Sequence, residues 1–244
     1  MKQTYFEIIE NRKIAEGIYL LRMQGDTSDI TAPGQFVNLK LNGYYLRRPI
    51  SVCDWTENEL VLIYKVLGHG TEAMTAYEVG KKLDILTGLG NGFDVSKAGE
   101  APLLVGGGVG IPPLYGLARR LVAEGKKVRA VLGFNSAADQ FYVKEFEALG
   151  IPVLLASADG SVGKKGFVTD AMVDVEDYSY VYTCGPEAML KAVYAVTNSS
   201  GQYSFEERMG CGFGACMGCT CKTKYGNKRI CKDGPVLEKE EIVW

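Results

Sequence analysis

Residues 101–118 read APLLVGGGVGIPPLYGLA. The apolar triplet Leu103-Leu104-Val105 runs into Gly106, Gly107, Gly108 and Gly110, and Pro112-Pro113 then opens a helical segment that reaches Ala123. Strand, glycine turn and helix in that order begin a βαβ unit, because glycine allows the tight turn and proline is preset for the first helical turn. Backbone N–H groups in such a turn face an anion well, since the helix N-terminus leaves them unpaired. Ile111 and the proline pair depart from the G-x-G-x-x-G fingerprint, so the turn reads either as a nucleotide cradle or as a device for close packing. The same glycines and prolines interrupt the most apolar stretch of the chain. No run approaches the ~18–20 residues that a membrane span needs.

On the C-terminal side the alternation continues. Val128–Phe134 reads as strand, Ala138–Leu149 as helix, Val153–Ala158 and Tyr180–Thr183 as strands, and Glu187–Val196 as helix. Strands alternating with helices give a parallel sheet, so residues 99–200 are expected to form an α/β nucleotide domain. On the N-terminal side, Tyr5–Glu10, Ile18–Gln24, Gln35–Leu41, Pro49–Asp54, Leu60–Leu67 and Lys82–Thr87 are short β-branched or aromatic runs separated by Gly, Asn and Pro. That spacing predicts an antiparallel β-barrel or sandwich over 1–98, with one short helix at Thr71–Tyr77 and a polar linker at Ser96–Glu100. Beyond Gly201 the chain turns rich in glycine and cysteine, as a small metal-stabilised module over 201–244 would be.

The 244 residues carry 27 basic and 29 acidic side chains, and 47% are apolar. This balance excludes disorder and shows no basic excess for nucleic acid. The N-terminal MKQTYFEIIENRK lacks the apolar core of a signal peptide, which points to the cytoplasm. Five of the seven cysteines (Cys211, Cys216, Cys219, Cys221 and Cys231) fall between positions 211 and 231, where a reducing compartment favours a metal or redox site over disulfides. Cys211-x4-Cys216-x2-Cys219, with Cys231 beyond, has the spacing of plant-type [2Fe-2S] sites rather than the two C-x2-C pairs usual for structural zinc. Gly210, Gly212, Gly214 and Gly218 let the backbone wrap closely around an inorganic core. Cys221 is left outside this set, as a small buried residue.

Three further segments carry polar or glycine signals. Tyr182-Thr183-Cys184-Gly185-Pro186 is a strand end followed by a helix, the position where open α/β sheets place ligands, although helix-start chemistry alone explains the Gly-Pro. Arg47-Arg48-Pro49-Ile50-Ser51 opens a strand with an arginine and a hydroxyl that suit a pyrophosphate and a heterocycle edge, unless the arginines simply form a solvated face. Lys65-Val66-Leu67-Gly68-His69-Gly70-Thr71 is a strand end, a glycine turn and a helix start. The single histidine, His69, reads as a turn residue. Asp159, at the end of the third α/β strand, suits ribose hydroxyls and favours NAD over NADP, with Lys164 and Lys165 nearby pulling the other way.

Together these motifs resemble the ferredoxin–NADP reductase superfamily, and within it the electron-transfer subunits of type B, NAD-dependent dihydroorotate dehydrogenases. The resemblance covers essentially the whole chain and is most specific in Glu206–Cys219 and Cys231–Pro235. It implies FAD between barrel and α/β domain, with Arg48 at the pyrophosphate, Pro49, Ile50 and Ser51 near the ring, Lys65, Val66 and Leu67 on a second flavin-contacting strand, and Gly70 and Thr71 at the diphosphate. Ile50 departs from the aromatic that many members carry there. The resemblance further implies NAD at Gly107, Gly108, Gly110, Cys184, Gly185 and Pro186, and a [2Fe-2S] cluster on Cys211, Cys216, Cys219 and Cys231. It implies an FMN-containing catalytic partner, in a 2+2 heterotetramer, that oxidises dihydroorotate and supplies the substrate chemistry, so that no catalytic acid or base is expected in this chain. Electrons would then reach NAD⁺ through the cluster and FAD, in pyrimidine biosynthesis. A flavin and iron–sulfur subunit of another NAD(P)H-dependent oxidoreductase, linked to ferredoxin or sulfur compounds, has the same layout.

Overall fold

The computed structural model describes residues 1–244. Its first half is a closed antiparallel barrel made by β1 (Lys2–Ala15), β2 (Ile18–Gln24), β3 (Phe36–Leu39), β4 (Arg48–Trp55), β5 (Glu59–Lys65) and β6 (Lys82–Leu89), in the order β1-β2-β5-β4-β3-β6. A short helix, α1 (His69–Thr75), joins β5 to β6. Period-two alternation builds the barrel interior. In β6, Leu83, Ile85, Thr87 and Leu89 are buried while the residues between them are more open. Phe6, Ile8, Leu21, Met23, Val37, Leu39, Val52 and Leu62 fill the inside. Closure leaves the barrel without a free edge.

The second half is a seven-stranded sheet. Its elements are β7 (Leu103–Gly107), α2 (Ile111–Ala123), β8 (Arg129–Phe134), α3 (Val143–Ala148), β9 (Val153–Ser157), β10 (Lys164–Lys165), α4 (Val168–Met172), β11 (Val181–Cys184), α5 (Glu187–Val196) and β12 (Gly201–Ser204). The tail adds β13 (Thr220–Thr223), β14 (Gly226–Arg229), α6 (Ile230–Asp233) and β15 (Val236–Glu238). The sheet order is β10-β9-β8-β7-β11-β12-β15, parallel except for β15. The sheet therefore takes two strands from the tail. β12 pairs with β11 from Val181↔Gly201 to Cys184↔Ser204, and β15 returns antiparallel with Gln202↔Glu238 and Ser204↔Val236. Residues 205–235 leave and re-enter at the same sheet edge.

Barrel and sheet share cores. Outward-facing Cys53 of β4 packs with Leu114 and Leu117 of α2, and Phe36 and Leu89 of the barrel pack with Leu103, Val105, Cys219 and Cys231. A Cβ at Gly116 would lie 2.7 Å from the Cys53 carbonyl oxygen, so α2 rests directly on β4. The Asp54–Arg119 ion pair clamps the same contact.

The segment expected as one helix over 138–149 is split. A 3₁₀ turn covers Ala137–Asp139, and α3 begins only at Val143, because Tyr142 takes a left-handed φ of 62°. Its ring meets Tyr115 edge-on at 5.0 Å and packs against the cluster that includes Cys53 of the barrel. Tertiary contacts with the barrel thus override a helical pattern that the local sequence supports. The helix α4, which covers the sheet with Val168, Ala171 and Met172, has no counterpart in the sequence-based expectations.

Candidate cofactor sites

The strand order reverses at β7, whose neighbours are β8 on one side and β11 on the other. Such a reversal opens a crevice at the carboxyl ends of the two central strands. The Gly106–Gly110 turn and the Cys184–Pro186 segment meet there. A Cβ on Gly110 would stand 2.2 Å from the Cys184 carbonyl oxygen, and one on Gly185 would stand 3.3 Å from the Gly107 nitrogen. Close packing thus accounts for Gly110 outright. Gly108 differs: it has φ 52° and nothing within 4 Å of where a Cβ would be, so it keeps the turn low and its face clear. Burial pushes the Cys184 thiol up to about 12, so it stays neutral there.

The two adjacent arginines have separate fates. Arg47 is locked to Asp84 at 2.8 Å and donates to the carbonyls of Asn38 and Asp84. Arg48 pairs with no carboxylate. It donates to the Leu46 carbonyl at 2.5 Å, lies 5.1 Å from the Tyr44 ring centroid, and crosses Gly70, where a Cβ would meet its Nε at 2.5 Å. A guanidinium held flat against a glycine, with no carboxylate to neutralise it, suits a pyrophosphate. Thr71 closes the neighbouring turn by accepting from the Leu67 and Gly68 N–H groups and donating to the Gly68 carbonyl.

On β4, Ser51 and Pro49 pair with Phe36 and Asn38 of β3, on the outer face of the barrel. Ile50 points the other way and packs against the barrel core, as does Val66. Lys65 and Leu67 are exposed at the end of β5.

The cysteine loop arranges its thiols in two pairs. The Cys211 Sγ accepts from the backbone N–H groups of Ala215 (3.2 Å) and Cys216 (3.4 Å), which brings Cys211 and Cys216 together. The Cys219 Sγ accepts from the Cys231 N–H at 3.4 Å, which brings Cys219 and Cys231 together. No three His, Cys, Asp or Glu side chains of the chain are grouped to hold a single ion. Two adjacent pairs suit a binuclear core with two thiolates per metal. At Cys211 burial opposes the thiolate, but the Cys216, Phe213 and Ala215 amides and the Cys216 thiol outweigh it and bring the thiol down to about 6. At Cys231 burial, together with the Cys219 thiol, pushes it up to about 12.

The loop's glycines divide by task. Gly212 and Gly214 have φ of 78° and 91°, whereas a Cβ on Gly210 or Gly218 would sit 3.3 or 3.5 Å from the Cys216 sulfur. Arg229 braces the loop through the Gly214 carbonyl at 3.0 Å and Asp233 at 3.1 Å. Cys221 stands apart on β13, packed beside the apolar cluster under the loop.

Asp159 spends one carboxylate oxygen on the Ser161 N–H (2.9 Å) and hydroxyl (2.7 Å), closing its own turn. Two residues near these sites escape sequence reasoning. Trp244 lies 5.6 Å from Phe205, in a groove of about 320 Å³ shared with Gly185 and Pro186. Asn38, 1% exposed, reaches the Cys211 carbonyl from the barrel at 3.2 Å. Only a neighbouring polar demand marks such residues, and a single sequence shows no sign of it.

Comparison with known proteins agrees with this geometry. Residues 206–243 match the family described as the iron–sulfur cluster binding domain of dihydroorotate dehydrogenase B, and residues 104–195 match the oxidoreductase NAD-binding domain. The electron transfer subunit of dihydroorotate dehydrogenase B (NAD⁺) from Bacillus pumilus (strain SAFR-032) is 42% identical over 99% of this chain and 98% of its own. The Shouchella clausii (strain KSM-K16) subunit of the same name is 43% identical, with the same coverage of both chains. Among solved structures, an NADH-dependent reduced ferredoxin–NADP oxidoreductase, studied for flavin-based electron bifurcation, superposes with a TM-score of 0.90 at 31% identity, over 98% of this chain and 90% of that one. The ferredoxin reductase of carbazole 1,9a-dioxygenase shares the fold at TM-score 0.69 and 20% identity, over 80% of this chain and 64% of that one.

Proposed function

Because the chain belongs to the family of dihydroorotate dehydrogenase B electron-transfer subunits, we propose that it relays electrons from a dihydroorotate-oxidising partner to NAD⁺. The observation that carries this reading is the pairing of four thiols beside a barrel that presents an arginine with no carboxylate partner, Arg48. When bound, a [2Fe-2S] cluster passes single electrons, and a flavin gathers two of them for hydride transfer to NAD⁺.

The chain's own residues supply binding and positioning. Cys211 with Cys216, and Cys219 with Cys231, are the metal ligands, and the Ala215, Cys216 and Cys231 amides stabilise thiolate charge. Arg48 holds the FAD pyrophosphate over the Gly70–Thr71 turn, and Pro49, Ile50 and Ser51 form the wall beside the ring, with Lys65, Val66 and Leu67 on the adjoining strand end. The Gly107, Gly108 and Gly110 turn, with Cys184, Gly185 and Pro186, receives the nicotinamide nucleotide, with NAD preferred through Asp159. The assigned units are the barrel, residues 1–98, for FAD, residues 99–200 for NAD, and residues 201–244 for the cluster. The partner carries FMN and associates as a 2+2 heterotetramer in the cytoplasm, where the thiols stay reduced.

The test is the visible spectrum of anaerobically purified protein with iron and acid-labile sulfide assays, followed by dihydroorotate addition to the complex with its partner. Flavin bands, about two iron and two sulfide per chain, and bleaching by dihydroorotate are the expected outcome. The 0.90 superposition on a ferredoxin-linked enzyme favours a second reading with the same cofactors. A coloured complex that dihydroorotate leaves oxidised, but that reduced ferredoxin bleaches, establishes that reading instead.

A further inference from the structure

On the barrel's outer face, Asn38 joins the strand pair proposed for the flavin to the cysteine loop by a hydrogen bond. It sits on β3 directly opposite Pro49 of β4, and its amide nitrogen donates to the Cys211 carbonyl. Gly212 makes this contact possible: with φ 78°, a Cβ there would lie 2.3 Å from the Asn38 nitrogen. Arg47 grips the Asn38 backbone carbonyl at 3.3 Å, so the residue is fixed at both ends. The Cys211 carbonyl can only accept, which sets the orientation of the amide and turns Oδ1 away from the loop.

That oxygen is buried and has no hydrogen-bond partner in the protein. Leaving a buried acceptor unpaired forfeits its hydration with nothing in return, and each such atom in a folded protein calls for a physical reason. An isoalloxazine ring carries N–H donors, and the outer face beside Pro49 and Ser51 is where the proposed function puts it. We propose that Asn38 is a positioning residue that couples the two redox sites: its nitrogen holds the first cluster cysteine, and its oxygen accepts a hydrogen bond from the bound flavin. This inference rests on the function proposed above. Coupling of this kind is reciprocal, so loading one site alters the other by the same free energy.

The test compares wild-type and Asn38→Leu protein, each with flavin bound and after flavin removal, by the electron paramagnetic resonance spectrum and midpoint potential of the reduced cluster. In the wild type, removing flavin shifts both. In Asn38→Leu, which keeps the volume and deletes both polar atoms, flavin removal shifts neither. Stopped-flow transfer from reduced cluster to flavin slows by about tenfold in the variant, as loss of one positioning hydrogen bond implies. The cluster signals arise only from chains that hold the cluster, and the flavin content of each sample is measured beside them so that the two populations are separated. If the leucine variant retains no cluster, Asn38→Ser, which is too short to reach both partners, is read in the same way. An equal flavin-dependent shift in wild type and variant, or none in the wild type, overturns the inference. Wild-type protein that purifies with neither flavin nor iron defeats the proposed function instead.

Discussion

The chain has two glycine-rich segments that look alike in sequence and are held in opposite ways. The Gly106–Gly110 turn is locked by the protein: it follows a fully buried strand, and Gly110 touches the Cys184 backbone with no room for a methyl group. The Gly210–Gly218 loop is held by little of its own. Cys216 is exposed, Phe213 and Met217 are 42% and 55% exposed, and the anchors are Asn38, Arg229 and Lys232 at the loop's margins. One segment is shaped by packing before any ligand arrives, and the other is shaped around the group it binds. The same contrast separates Arg47, tied into an ion pair, from Arg48, which has no carboxylate partner.

The largest effect should come from the ligand-shaped loop. Cys219→Ser should abolish iron and sulfide binding and speed amide exchange across residues 210–218, while amides of β7 and β11 keep their protection. Equal loss of protection in both regions, read by exchange mass spectrometry, would erase the distinction. Next come the packing-shaped positions: Gly110→Ala and Arg47→Ala should each lower unfolding free energy by about 3 kcal/mol, through overpacking and through stranding Asp84. Denaturant titration checks both.

Arg48→Ala should leave that titration nearly unchanged and weaken FAD binding by about tenfold or more, measured by flavin fluorescence. The smallest mutational change is expected at Gly107→Ala, under about 1 kcal/mol, since the new methyl meets only the flexible end of Met189. A pH series adds a further contrast. At Glu238 burial opposes ionisation, but Lys97, Gln202 and Tyr180 outweigh it and hold the carboxyl below its ordinary 4.5. A lowered folded-state value stabilises fully above that range and loses its contribution as pH falls through it. Melting temperature should therefore drop as pH falls from about 5 to about 3 more steeply in the wild type than in Glu238→Gln.

The barrel strands and the parallel sheet were legible because each is written in a local period, two for the strands and 3.6 for the helices between them. The cysteine spacing was legible because ligand geometry is imposed within a short loop. What was not legible depended on distant partners. Tyr142 breaks a helix for the sake of Cys53 and Tyr115, β15 joins a sheet that begins more than 130 residues earlier, and Asn38 is a barrel residue whose partner is Cys211.

The return of β15 beside β12 makes residues 205–235 an excursion whose two ends are already hydrogen-bonded to each other. Bringing together the ends of a free segment of that length costs about 3 kcal/mol of chain entropy, and the sheet edge has met that cost before any iron arrives. Oxidative loss of the cluster is then a local injury. The emptied loop stays tethered at both ends, and a scaffold that delivers a new cluster finds its four thiols still gathered at one place.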